Sequence, residues 1–124
     1  MSGYNIYREN EIMTNHPVEN TILMYESCIS RLRFIKKGYE SFKFSKADEQ
    51  IERVEQMVEE LKLQVDESVD IELAELLYGL YEYVLDGLYK VSKFRTTEPI
   101  PGMEKVFMDL IEGFKGAMKI EEGK

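Results

Sequence analysis

The chain has 124 residues, which suits one domain with a single core. Hydrophobic residues make up 44% and charged residues 32%, a balance that excludes a disordered chain, and no apolar run approaches the roughly 20 residues a bilayer requires. A net charge of −8 with no lysine or arginine stripe argues against nucleic acid and against an anionic membrane surface.

Residues 1–16 are polar but carry Tyr4, Ile6, Tyr7, Ile12 and Met13 without a sustained period, and read as an arm, extended or short-helical. MSGYNIYRENE lacks the basic cluster and apolar core of a secretory signal, and the lone cysteine, Cys28, excludes an internal disulfide. Both point to a cytoplasmic protein in a reducing compartment. Pro17 stands where a first helical position tolerates a missing N–H. Ile22, Tyr25, Ile29, Leu32 and Ile35 follow at helical spacing, predicting a first helix that ends between Gly38 and Phe44. Within it, Arg31-Leu32-Arg33-Phe34-Ile35-Lys36-Lys37 alternates charge with apolar residues, the pattern of a solvated helix face rather than a lipid contact.

Ser45-Lys46-Ala47-Asp48 has the form of a capping box with Asp in place of Glu and predicts the start of a second helix. Its stripe is Ile51, Val54, Val58, Leu61 and Val65, with Glu, Gln, Arg and Lys opposite. Asp66-Glu67-Ser68 and Asp70 break the stripe and put negative charge at the positive end of a third helix. From Leu73 to Val91 this third helix is apolar or aromatic on nearly every face. Pro99 and Pro101 mark a loop, with Pro101 able to sit in the first turn of a fourth helix lined by Met103, Val106, Phe107, Leu110, Phe114 and Ala117. Residues 121–124 are expected to fray. Four helices on short connections imply an all-α, antiparallel up-down four-helix bundle over 17–120, with a three-helix bundle and a mobile last helix as the alternative.

Catalytic and cofactor chemistry finds no support. A di-iron carboxylate bundle needs paired Glu-x-x-His motifs, and the chain has a single histidine, His16, with no Glu three residues before it. Cys28 lies well inside the first helix, too far along the axis from His16 to form a nucleophile pair, and reads as a packing residue. No Gly-rich phosphate loop is present; Gly79, Gly87, Gly113 and Gly116 fall inside predicted helices and read as close-packing positions. Glu52, Glu55, Glu59 and Glu60 lie on the polar face of the second helix. The expectation is a protein that is not an enzyme and uses neither metal nor cofactor.

The breadth of the third helix fits a core position and a partner site equally, because tyrosine joins apolar area to a polar tip. Two blocks then carry a resemblance over most of the chain. Tyr4-Asn5-Ile6-Tyr7-Arg8-Glu9-Asn10 with Thr14, Pro17 and Leu23-Met24-Tyr25-Glu26, and later Leu77-Tyr78-Gly79-Leu80-Tyr81-Glu82-Tyr83, resemble the flagellar secretion chaperones of the FliS family. The resemblance implies a cytosolic helical bundle that holds the disordered C-terminal region of flagellin in apolar grooves and prevents premature polymerisation. It makes Tyr7, Tyr25, Tyr78, Leu80, Tyr81 and Tyr83 the candidate groove or groove-rim positions, and the arm a plug for the empty groove. The chain departs from the family's pattern at Ser27, at Asp70-Ile71 in place of Gly-Gly, at Val91-Ser92, and at Phe114, the nearest aromatic to an absent tryptophan. A regulatory adaptor, a divergent paralogue with another protein partner, and a structural helical homodimer are the competing readings.

Overall fold

In a computed structural model the described residues are 17–122, and they form four α-helices: α1 (Pro17–Glu40), α2 (Phe44–Leu63), α3 (Ile71–Phe94) and α4 (Ile100–Glu122). Each helix packs on its two neighbours in a closed ring, α1 on α2 and α4, α3 on α2 and α4. Connections of a few residues force each helix antiparallel to the one before it, so the architecture is the expected up-down bundle. The arm and residues 123–124 lie outside the described residues; within them, α4 stays helical through Glu122.

Most of each predicted stripe becomes core; Val65 falls past the end of α2 and is half-buried, and on α4 Val106 and Phe114 are half-buried and Ala117 is exposed. Ile22, Tyr25, Ile29, Leu32 and Ile35 of α1 and Ile51, Val54, Val58 and Leu61 of α2 are all buried, facing Leu77, Tyr81, Val84, Leu88 and Val91 of α3 and Met103, Phe107 and Leu110 of α4. Cys28 is fully buried among them, and burial pushes its thiol up to about 12, as befits a packing residue. Of the helical glycines read as close-packing positions, Gly87 is one: a Cβ there would stand 2.8 Å from Met103 Sδ. Gly79, Gly113 and Gly116 instead face open space, because they fall on α3 and α4 surfaces that no neighbouring helix covers.

The helix ends are decided locally in three cases and by tertiary contacts in one. Phe42 takes a left-handed conformation (φ 58°), and the amides of Phe42 and Lys43 return to the carbonyls of Tyr39 and Gly38, closing α1. Arg95 (φ 51°) ends α3 in the same way. Asp70, extended at φ −157°, accepts the Leu73 amide at 3.1 Å and caps α3, so the departure from Gly-Gly supplies a side-chain cap. Asp70→Ala is expected to cost about 1 kcal/mol in urea titration. The predicted capping box at Ser45 does not form. α2 begins two residues earlier, after Lys43, which provides no side-chain cap. Asp48 is drawn away by partners from other helices, accepting the Tyr39 hydroxyl at 2.5 Å and pairing with Arg95 at 3.6 Å.

Candidate functional site

Two rows of apolar side chains run along α3. Ala74, Leu77, Tyr81, Val84, Leu88 and Val91 fill the core. Beside them, at steps of three and four, Leu73, Leu76, Leu80 and Tyr83 lie toward α4, while Tyr89 is exposed on another face. The α3–α4 contact is the loosest of the four in the ring. Between these two helices lies an open groove of about 440 Å³ walled by Leu73, Leu76 and Leu80 on one side and Val106, Leu110 and Phe114 on the other. Leu73 and Leu76 remain 45% and 57% exposed, so the groove is apolar surface that the fold leaves uncovered.

The groove continues over the end of the bundle. Leu73 and Phe114 also border a second concavity of about 250 Å³ reaching Leu61, Val65, Val69 and Leu77 at the α2–α3 connection. Farther along α3, Tyr83 lies against α4, and a side chain at Gly102 would collide with its hydroxyl. Polar groups are confined to the rim, where Asp109 pairs with Lys105 at 3.1 Å. The geometry is that of an elongated apolar trough with anchor points at helical spacing.

The six residues singled out from the sequence divide among different tasks. Leu80 lines the groove, and Tyr83 lies against Gly102 of α4 outside the groove's lining. Tyr25 and Tyr81 are core residues, 0% and 2% exposed, and their hydroxyls meet across the bundle diagonal at 2.6 Å. Burial is the main cause that holds both phenols above their ordinary value. Tyr25 also sets the groove wall, because Phe114 packs edge-on against it with centroids 5.6 Å apart. Tyr81 reaches from the core to the floor of the second concavity. Tyr78 donates to Glu67 at 2.9 Å and ties α3 to the connection before it. Tyr7 lies outside the described residues. Leu73, Leu76, Val106, Leu110 and Phe114 were not singled out as groove positions. The signal that could have found them is the second three-and-four row beside the core row of α3, matched by Val106, Leu110 and Phe114 on α4.

The basic stretch of α1 is largely solvated, with Arg33, Lys36 and Lys37 exposed between buried Leu32 and Ile35. Arg31 is tied down by Ser27, at 3.3 Å, and by Gln50. Among the described residues no cluster of His, Cys, Asp or Glu is placed to hold a metal ion, and no helix is long and apolar enough to cross a membrane.

The family model described as flagellar protein FliS matches residues 1–121. The flagellar secretion chaperone FliS of Bacillus subtilis (strain 168) is 22% identical over 118 residues, spanning 95% of this chain and 87% of that protein. A crystal structure of a flagellar chaperone from bacteria superposes with a TM-score of 0.82 at 34% identity, covering 96% of this chain and 97% of the other.

Proposed function

The chain belongs to the FliS family of flagellar proteins, which supports a chaperone role, and from that premise we propose that its client is the disordered C-terminal region of flagellin. In this reading it is a cytosolic export chaperone that lays an amphipathic segment of the client into the α3–α4 groove and so keeps flagellin from polymerising before export. The observation that carries the proposal is the groove itself: two facing apolar walls, open along their length, with Leu73, Leu76 and Leu80 at the spacing that meets a client helix on its own three-and-four stripe. The client's ordering cost is offset by burial of its apolar face, which leaves binding firm but reversible. Leu80 and Tyr83 touch the client directly. Tyr25 and Tyr81 serve it by fixing Phe114 and the groove floor, and no catalytic step enters this function.

Isothermal calorimetry with a synthetic flagellin C-terminal peptide is the test. The expected result is a clearly negative heat-capacity change, on the scale of about 1,000 Å² or more of buried surface, together with a gain of helix in circular dichroism. An absence of binding at high micromolar peptide would end the flagellin assignment.

A further inference from the structure

At the opposite end of the bundle, roughly 25 Å along the helix axes from the groove, three residues break local rules together. Phe42 occupies a left-handed position (φ 58°), where glycine is the favoured residue, and its ring is nevertheless 80% exposed. Lys43 and Lys46 stand at the N-terminus of α2, the end of a helix where positive charge is unfavourable, and α2 has no acidic residue in its first turn. Each of these choices is locally unfavourable for the fold. They converge on one concavity lined by Phe34, Phe42, Phe44, Lys37, Lys43 and Lys46, with no carboxylate in its lining, on a chain whose net charge is −8.

The concavity is also held in shape. Phe44 packs edge-on against Tyr39 at 4.9 Å and against Phe42 at 6.1 Å. Arg95 lies over the Phe44 ring at 4.2 Å while paired with Asp48. Among the described residues Lys37, Lys43 and Lys46 make no ion pair, so their charge is available to a partner. Locally unfavourable residues maintained together on a rigid support mark a functional surface rather than a structural one.

We propose that this aromatic-basic end of the bundle is a second docking surface, distinct from the client groove, whose partner is an acidic, apolar segment of another protein. Charge complementarity selects that partner: aspartate or glutamate meets the three lysines while aromatic or leucine side chains cover Phe34 and Phe42. An anionic bilayer would meet the same lysines, but the rest of the molecule is negative and opposes it.

The test uses the full chain and a synthetic amphipathic peptide of alternating Asp-Glu pairs with Leu and Phe, followed by amide chemical shifts. A copy with Lys in place of each acid and vesicles of phosphatidylcholine with phosphatidylserine serve as comparators. The acidic peptide is expected to shift resonances around Phe34, Phe42 and Lys43 and to weaken about tenfold between low and moderate salt. Phe42→Gly should weaken it by about tenfold while the melting temperature holds or rises, since glycine suits the left-handed position. Lys43→Glu with Lys46→Glu should abolish it and leave flagellin peptide binding in the groove intact, so this surface and the client groove stand or fall separately. Equal binding of the two peptides, shifts confined to the α3–α4 groove, vesicle binding without peptide binding, or a Phe42→Gly variant that loses thermal stability but not binding would each overturn the proposal.

Discussion

Replacing Leu76 with glutamate is expected to weaken capture of the flagellin C-terminal peptide about a hundredfold, close to 2.7 kcal/mol, while the bundle stays folded. Leu76 is 57% exposed, so the free protein accommodates a carboxylate there with little cost. In the complex the same carboxylate would be pressed between the apolar walls of the groove, away from water and facing no cation, and desolvating an unpaired charge costs several kcal/mol. Tyr89→Glu supplies the comparison. Tyr89 is equally exposed on α3 but lies outside the groove, and its replacement should change affinity by less than about twofold. Calorimetry on both variants reads the difference. Equal losses, or none, would remove the groove from the client's path.

A steep loss of stability in alkali is the second large effect. Tyr25, Tyr81, Cys28 and Tyr39 are buried and hold their protons more tightly in the fold than in the unfolded chain, burial being the first cause in each. A raised pKa in the folded state means stability that is complete below the unfolded value and is lost as pH climbs toward the folded one. The decline therefore begins near pH 9, where an unfolded cysteine ionises, and steepens above about pH 10, where unfolded tyrosines join it. A group that keeps its proton in the fold while its unfolded counterpart is ionised adds up to about 1.4 kcal/mol per pH unit, so the slope steepens as the tyrosines join the cysteine. A domain of this size has stability on the order of 10 kcal/mol, so the accumulating loss is expected to end in unfolding in strong alkali.

The double variant Tyr25→Phe with Tyr81→Phe isolates the hydroxyls' share. Removing both leaves no unpaired donor or acceptor, so stability at neutral pH should change by no more than about 1 kcal/mol, whereas either single change strands the partner hydroxyl. Urea titrations between pH 8 and 11 should show a shallower alkaline slope than that of the parent protein. An unchanged slope would mean that the phenols ionise in the native state.

Helix number, helix order and most of the core were legible because an amphipathic helix writes its buried face into the chain at 3.6-residue period. The stripes Ile22 to Ile35 and Ile51 to Leu61 needed nothing else. Negative charge from Asp70 at the start of α3 and Pro101 in the first turn of α4 were equally local, whereas the bond by which Asp70 caps the Leu73 amide emerged in the structure. Reading stopped where two answers had the same local signature. Ser45-Lys46-Ala47-Asp48 carries the chemistry of a cap, yet Asp48 bonds Tyr39 and Arg95, partners that only the folded bundle brings within reach. On α3 the tyrosines and leucines share one apolar character in the sequence. Whether a residue is core or groove depends on how closely α4 approaches: α1 and α4 close over Tyr25 and Tyr81, while the looser α3–α4 contact leaves Leu73 and Leu76 open. The sequence thus determined which residues avoid water, because that is a property of each side chain and its period. Which of them the protein covers itself and which it leaves for a partner was decided by the spacing between helices, which no single helix encodes.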